Sequence, residues 1–403
     1  MKFIDQNFKT IQIAQTFIDR NDKLSSVYRF LLPKLLTSHT DERYTKMAFH
    51  AHLETLYGAY FKTKATRYGQ YHLVTITLTI IDPKIVLDEH LLEQSLQLFH
   101  DVIHRQSPIS KQIFNEEKRL LIEQWESIKD KKRQYAGHRF QELFYKDDPE
   151  GYPISGTITD AKQMTHAKIT RYFNDVFLNN KTFLVVSGML KAEEKALFKK
   201  YFKENDTEKL GQVNLGFRAL KPLETVLEQT DMKQAMIRMG YHFPIFRSGT
   251  LYHAAWLMDT MLGGYPESRL FKEIRENKGL CYDVSSSYNA YKGTVHIGLG
   301  VDIAQKAFAV EEVKKLIEQL KVEGFLETEL DYAKAYLKHQ LKMSLDHQSV
   351  LTDRALGQFI FDETMSIEKR ITMIDEVQLT DIDACLAVLN LDTVYILHGG
   401  AND

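Results

Sequence analysis

Arg275 and Tyr282 are seven residues apart, at the junction between a predicted helix and a predicted strand. A guanidinium and a phenol that converge there can both donate hydrogen bonds to a peptide carbonyl or to a developing oxyanion. The spacing also fits an ordinary arrangement, in which the arginine is solvated and the tyrosine is a half-buried strand residue. These two side chains are the candidate substrate-binding residues, and no catalytic residue is assigned.

The elements that must position this pair follow from the local pattern. Ser268 is placed to cap a short helix, and Gly279 provides a left-handed stop at its end. The buried face of this helix is predicted to consist of three apolar residues, Leu270, Phe271 and Ile274. The alternation of the next strand predicts that its even-numbered residues share one face, namely Tyr282, Val284, Ser286 and Tyr288.

Two histidine groupings have a spacing that suits a metal ion. His50 and Glu54 are four residues apart on a predicted helix with His52 between them, and His100 and His104 form a second pair of this spacing. Fifteen histidines among 403 residues produce such pairs by chance. The second pair lies beside the apolar stripe of its helix, on a flank that we expect to be solvated. An atypical metal site around His50, His52 and Glu54 stays an open alternative.

The chain contains a faint internal duplication. Four elements recur in the same order: an alternating strand (71–80 and 294–301), an amphipathic helix (88–105 and 303–320), a long helix (114–128 and 325–345) and a buried strand ending in glycine (182–188 and 393–399). Two copies of one α+β unit account for a length that is too great for one ordinary core.

The duplication predicts the fold class and the domain boundaries. We expect two homologous domains, each with a mainly antiparallel sheet and long helices packed on one face. The N-terminal domain is predicted at 1–205 and the C-terminal domain at 229–403. The segment 206–228 is polar, has little periodicity and is predicted to be a linker.

Composition narrows the function classes. The formal net charge is −2, so the chain lacks the positive electrostatic potential that nucleic-acid binding requires. Cys281 and Cys385 are the only cysteines, so a disulfide framework and a cysteine zinc site are both disfavoured. No apolar run approaches membrane-spanning length, and residues 1–6 have no signal-like apolar region. We expect a cytoplasmic protein without membrane insertion.

The residues from Ser268 to Tyr282 carry a resemblance to a known family. They read Ser-Arg-Leu-Phe and then Ile-Arg-Glu-x-x-Gly-Leu-x-Tyr, which is similar to the signature of the C-terminal domain of the pitrilysin/insulinase zinc peptidases. The similarity extends over most of the chain, including 114–156 and 185–188. The resemblance implies the two-domain α+β fold of that family and a role for Arg275 and Tyr282 in holding the scissile peptide.

The metal motif of that family is an inverted His-x-x-Glu-His on a helix. Matching by position puts Phe30 at the first histidine, Pro33 at the glutamate and Lys34 at the second histidine. A phenyl ring has no lone pair, proline has no carboxylate and a lysine cation repels a divalent metal. The third ligand should be a glutamate on the helix 114–128, where Glu123 and Gln124 are both candidates. The motif is therefore degenerate, and we expect no metal and no other cofactor in this chain.

The resemblance also implies a partner. Members of this family bring two two-domain halves together around a closed chamber, and in heterodimeric members one subunit carries zinc while the other carries the arginine and tyrosine. We expect this chain to be the non-metal-binding subunit, with zinc in a homologous partner subunit and no proteolytic activity on its own. Two alternatives remain: an inert peptide-binding or scaffold protein, and an active metalloprotease with an atypical site. The peptide substrate, and whether the partner is a second gene product or another copy of this chain, stay open.

Overall fold

The computed structural model describes residues 1–41, 45–104, 108–146, 148–202, 210, 213, 218–361, 363 and 365–400. These residues form two compact units. Unit 1 draws its described residues from 1–127, 153–214 and 344–364, and unit 2 draws its own from 128–152, 215–343 and 365–403. Each unit is built around its own sheet.

The sheet of unit 1 contains β1 (Lys2–Ile4), β2 (Thr10–Arg20), β3 (Tyr60–Tyr68), β4 (Tyr71–Ile81) and β5 (Lys181–Ser187). Their order is β1-β5-β2-β4-β3. β1 runs parallel to β5, and the other neighbouring pairs in the described part of this sheet are antiparallel. β2 and β4 pair along their whole length without a register shift.

The sheet of unit 2 contains β6 (Glu224–Gln229), β7 (Gln234–His242), β8 (Cys281–Asn289), β9 (Thr294–Asp302) and β10 (Asn390–His398). Their order is β6-β10-β7-β9-β8, with β6 parallel to β10 and the other described neighbours antiparallel. This is the strand order of unit 1, repeated with the second set of strands. The predicted α+β fold with two homologous, mainly antiparallel domains is confirmed.

The helices of the described residues surround these sheets. In chain order they are α1 (Lys23–Leu36), α2 (Lys46–Thr55), α3 (Pro83–Val86), α4 (Leu91–Ile103), α5 (Lys111–Glu126), α6 (Lys132–Phe144), α7 (Ile158–Gln163), α8 (His166–Asp175), α9 (Ala192–Tyr201), α10 (Tyr252–Asp259), α11 (Lys306–Glu323), α12 (Glu327–Met343), α13 (Gln348–Phe361), α14 (Ile367–Glu376) and α15 (Leu379–Ala387). Two π-helical segments, Thr260–Gly264 and Phe271–Asn277, follow α10. Within the described residues, no helix combines the length and the apolar character needed to cross a membrane.

The main core of unit 1 lies between its sheet and the long helices. Ile13 and Phe17 of β2 belong to the same buried cluster as Leu31 of α1 and Leu96 of α4. The burial of these side chains follows the two periods of the sequence, which are two residues along the strands and 3.6 along the helices. The apolar stripe predicted for the helix 88–105 is therefore the surface that α4 places in the core.

The compact units are not continuous in sequence. In unit 1, Leu356 and Ile360 of α13 pack against Leu73 and Phe183, on the sheet face opposite the main core. In unit 2, α6 occupies the corresponding position, with Phe144 in one cluster with two residues of β10. A helix from each sequence half thus belongs to the unit built mainly from the other half. The predicted domains 1–205 and 229–403 and the predicted linker 206–228 stay a prediction.

Candidate functional site

A pocket of about 630 Å³ in unit 2 contains both predicted substrate-binding residues. We call it the Arg/Tyr pocket. Its wall includes Arg275, Cys281 and Tyr282, together with Lys233 and Asp302 from one end of the β7–β9 pairing. The structure therefore brings the two predicted residues to the same concave surface. Their role in binding a substrate stays a prediction.

Arg275 is positioned by the π-helical segment Phe271–Asn277. Ile274 is buried on the inner side of this segment, while Arg275 is exposed. The guanidinium carbon lies 4.3 Å from the centre of the Phe271 ring, a stacking geometry that leaves the N–H groups at the guanidinium edge open. Within the described part of the chain, Arg275 forms no ion pair and no hydrogen bond.

The sequence predicted a glycine stop at the end of this helical segment and a serine cap at its start. Gly279 has φ of 61°, so the predicted left-handed stop is present. The predicted cap at the other end is wrong. Ser268 stands directly before the helix, but its hydroxyl is buried and has no hydrogen-bond partner among the described residues, so it does not cap the helix with its side chain. The Ser268 carbonyl accepts the N–H of Lys272.

Tyr282 owes its position to a β-bulge in β8. Cys281 lies opposite Val301, whereas Val284 lies opposite Leu299, so three residue steps on β8 face two steps on β9. The extra residue interrupts the alternation, and Cys281 takes the inward place beside Val284. The predicted common face of Tyr282 with Val284 is therefore wrong. The Tyr282 side chain is 83% exposed and forms no hydrogen bond within the described residues.

Cys281, which precedes Tyr282 and lines the same pocket, is a residue type that can act as a nucleophile. Burial raises the pKa of its thiol to about 11, assisted by the negative charge of Asp283 and opposed by Arg275. A thiol with so high a pKa carries almost no thiolate at neutral pH. Cys281 therefore lines the pocket and does not act as a nucleophile at neutral pH. Cys385 is also free and buried.

A buried carboxyl group contacts β8 near the end of the strand. The backbone N–H of Tyr288 donates to Oδ2 of Asp259 at 2.9 Å, and the Ser286 hydroxyl donates to the Asp259 carbonyl at 3.1 Å. Asp259 is 8% exposed, and its burial raises the pKa of its carboxyl to about 6. Asp259 thus engages one backbone N–H of this edge strand, that of Tyr288.

The positions of the degenerate motif lie together on α1 of unit 1. We call Phe30, Pro33 and Lys34 the motif face. The Lys34 ammonium is 4.4 Å from the centre of the Phe30 ring, and Pro33 is buried inside the helix. Burial lowers the pKa of Lys34, while the nearby carboxylate of Glu117 acts in the opposite direction. A ring, an imino acid and an ammonium supply no lone-pair ligand for a divalent metal at neutral pH.

Comparison with known proteins agrees with this arrangement. Residues 163–337 match the profile described as the Peptidase M16 inactive domain. A probable inactive metalloprotease of Bacillus subtilis strain 168, YmfF, is 25% identical over 402 residues, which are 98% of this chain and 94% of YmfF. The chain is a homologue of the M16 peptidases. The predicted pitrilysin/insulinase (M16) relationship is confirmed.

Two solved structures share the fold of this M16 homologue. A conserved protein from Enterococcus faecalis V583 has a TM-score of 0.90 and 22% identity, over 100% of this chain and 96% of that protein. A peptidase M16 inactive domain from Pseudomonas fluorescens has a TM-score of 0.80 and 16% identity, over 99% of this chain and 95% of that domain. At these identities the likeness establishes the fold.

In this M16 homologue, the acid that acts on the motif face is Glu117. Its side chain is 14% exposed, and it accepts a hydrogen bond from the Lys46 ammonium at 2.6 Å. Glu123 is more exposed and pairs with Arg119 on its own helix, and Gln124 is exposed. A shift from Gln124 to Glu117 is seven residues, or about two helical turns, which keeps the same helix face. Sequence matching therefore missed Glu117, although the charged run around it was visible.

The alternative histidine site is not assembled. His50 is exposed, and His52 Nδ1 lies 3.2 Å from the Thr55 hydroxyl. Among the described residues, no group of three or more histidine, cysteine, aspartate or glutamate side chains converges as a metal site would require. The structure places His50, His52 and Glu54 along one helix, α2.

Proposed function

We propose that this chain is the non-metal-binding subunit of a pitrilysin-like peptidase, which contributes peptide binding and part of a closed chamber to a zinc-bearing partner. One observation supports this most strongly. Arg275 and Tyr282 line one pocket with their donors unengaged by the described residues, while the motif face offers no metal ligand. A chain that retains the arginine and tyrosine but has lost the metal ligands is suited to hold a substrate for another subunit.

The chemistry of the pair suits a peptide carbonyl. Arg275 offers a planar fork of N–H donors, and Tyr282 offers one O–H donor. Both are exposed at the pocket, so a carbonyl oxygen replaces water at these donors without breaking a contact within the protein. Zinc in the partner would supply Lewis-acid polarisation of the scissile carbonyl. The residues of this chain orient the peptide and hold its backbone oxygen.

The cellular setting belongs to the same proposal. Both cysteines are free and buried, which suits a reducing compartment such as the cytoplasm. The partner is a homologous subunit with an intact His-x-x-Glu-His motif, or a second copy of this chain in a purely peptide-binding assembly. Elemental analysis of the purified chain is expected to find less than one zinc per chain, and one tightly bound zinc would count against the proposal.

The decisive experiment is reconstitution with a zinc-bearing homologue from the same source. We expect the chain alone to cleave no peptide and the pair to be active. Arg275→Ala is expected to lower kcat/KM of the pair about 100-fold, and Tyr282→Phe about tenfold, because each removes a donor to the reacting carbonyl. Arg171→Ala and Tyr332→Phe, at exposed positions outside the pocket, are the matched controls and should leave activity unchanged.

The other two functions give different results in the same assay. Unchanged activity of the Arg275→Ala and Tyr282→Phe pairs would identify the chain as a scaffold. Cleavage by the isolated chain that a chelator abolishes would identify an atypical metalloprotease. Variants at His50 and His52 would then locate the metal.

A further inference from the structure

A cavity of about 430 Å³ lies within unit 1, away from the motif face. Its floor includes Gln15 and Phe17 of β2 and Leu184 of β5, and its walls include His100 of α4 and Phe202 after α9. Sites for small molecules commonly have volumes of about 300–1,000 Å³, apolar walls and a few polar groups. This cavity has the dimensions and the type of lining that such a site requires.

Gln15 is an unexpected residue at the floor of the cavity. Ile11, Ile13 and Phe17, which share its face of β2, are all buried in the main core. Gln15 itself is 7% exposed and lies in register with Leu184, in a position where the alternation calls for an apolar side chain. Its Oε1 atom is buried and accepts no hydrogen bond from the described residues. A buried carboxamide oxygen without a partner lowers stability, which a bound ligand that donates to this oxygen would offset.

A second polar atom at the same cavity is in a similar state. Nδ1 of His100 is buried without a hydrogen-bond partner among the described residues, and Oδ1 of Asp101 at 3.6 Å is too distant to serve as one. The ring centre of His100 lies 4.8 Å from that of His104, which also lines the cavity. The imidazole and the carboxamide thus each bring an unpartnered polar atom to a lining that combines polar residues with the apolar Phe17, Leu178, Leu184 and Phe202.

The lining determines the kind of molecule that fits. Among the described residues that line the cavity there is no aspartate, glutamate, lysine or arginine, so a ligand with a full charge would lack a counter-ion. Phe17 and Phe202 add aromatic surface to the lining, which suits a flat apolar body. We propose that this cavity binds a neutral aromatic molecule with an amide-like edge, which pairs with the Gln15 carboxamide. The site is independent of the Arg/Tyr pocket.

The test uses the wild-type chain and benzamide, which is neutral, aromatic and carries a primary amide. Titration followed by NMR is expected to show one saturable site. Gln15→Leu removes the polar edge at nearly constant volume and should weaken benzamide binding by at least about tenfold. Gln12→Leu is the matched control, because Gln12 lies on the opposite face of the same strand and bonds to Thr79. It should leave the affinity unchanged.

Two further measurements keep the test decisive. Toluene, which has the ring without the amide, should bind wild type and Gln15→Leu with equal affinity. A crystal of the wild-type chain soaked in benzamide should show the ligand beside Gln15, and this result stands even if a variant fails to fold. Equal benzamide affinity of wild type and Gln15→Leu, no saturation of wild type up to about 20 mM, or benzamide bound elsewhere would each overturn the proposal.

Discussion

The motif face of unit 1 and the Arg/Tyr pocket of unit 2 differ in how their charges are satisfied. On the motif face, the Lys34 ammonium stacks on Phe30 and interacts with Glu117, which Lys46 also contacts. In the pocket, Arg275 has no ionic partner among the described residues. An ammonium beside a carboxylate replaces the positive charge that a metal would bring there.

This difference shows how the side chains of a binding surface can be engaged internally or remain available to a ligand. A side chain that already interacts with an internal ring and an internal carboxylate has less capacity to bind a ligand, because a ligand must then compete with these internal partners. A donor stacked on a ring and exposed at its edge keeps that capacity. The retained function is therefore expected in unit 2. Four tests follow, which change either the motif face of unit 1 or the residues that support β8 and the Arg/Tyr pocket in unit 2.

The largest effect is expected from rebuilding ligands on the motif face. The double variant Phe30→His and Lys34→His places two imidazoles four residues apart on α1, near the Glu117 carboxylate that Lys34 now engages. Two histidines and one glutamate make a three-ligand zinc site, so we expect one zinc per chain with a Kd on the order of 1 µM or tighter. Calorimetric titration and elemental analysis measure this.

The control for the rebuilt site is the same double variant with Glu117→Gln, which should bind zinc far more weakly. The parent chain provides the baseline. If the double variant binds zinc no better than the parent, or equally well without Glu117, the assignment of Glu117 to this surface is wrong.

The next largest effect concerns the buried carboxyl that supports β8. The pKa of Asp259 is raised to about 6, so its contribution to stability is complete below about pH 4 and is lost as pH rises through about 6. Asp259→Asn removes this loss and keeps an acceptor for the Tyr288 N–H. We expect the variant to be more stable than wild type by about 3 kcal/mol at pH 7.5 and to show no advantage near pH 4. Urea unfolding across this pH range measures it.

Asp383→Asn is the control for the buried carboxyl, because Asp383 is exposed on α15 of the same unit. Its effect should stay within about 0.5 kcal/mol at every pH. A stability gain for Asp259→Asn that is independent of pH would contradict the assigned cause.

A smaller effect is expected from removing the charge that faces Lys34. Glu117→Gln removes the ion pair with Lys46 and the favourable charge near the half-buried Lys34 ammonium, and we expect a loss of about 1–2 kcal/mol. Glu123→Gln, on the same helix, removes an exposed pair with Arg119 and should cost no more than about 0.5 kcal/mol. Equal losses in the two variants would show that the motif face is not closed by Glu117.

The smallest effect concerns the backbone between Arg275 and Tyr282. Gly279 has φ of 61°, and no atom lies within 4 Å of the position that an added methyl group would occupy, so Gly279→Ala suffers backbone strain alone, about 1 kcal/mol. Gly137→Ala, inside α6 and equally free of contacts, should stabilise by about 0.5–1 kcal/mol. Thermal unfolding of the two variants should therefore shift in opposite directions. A gain in stability for Gly279→Ala would show that no left-handed residue is required there.

Much of the fold was available from the sequence because its signals are local. The alternation around Ile76 and around Ile297 predicts strands, and the stripe that includes Leu96 predicts the helix that became α4. The signature around Arg275 and Tyr282 located the pocket. The side-chain cap assigned to Ser268 was wrong, since its hydroxyl makes no bond to the helix. The face assigned to Tyr282 was wrong, since a bulge in β8 interrupts the alternation.

By itself, the sequence determined the repeated order of strands and helices, the loss of ligand chemistry at Phe30, Pro33 and Lys34, and the proximity of Arg275 to Tyr282, because periodicity, side-chain chemistry and short spacing are all readable along one chain. Only the tertiary structure decided that the Glu117 carboxylate lies near enough to act on Lys34 while it pairs with Lys46, that a bulge turns Tyr282 outward, and that α6 and α13 each join the other unit. These outcomes depend on contacts between residues far apart in sequence or on the pairing of one strand with its neighbour. Such contacts have no period and no fixed spacing that a one-dimensional pattern can record.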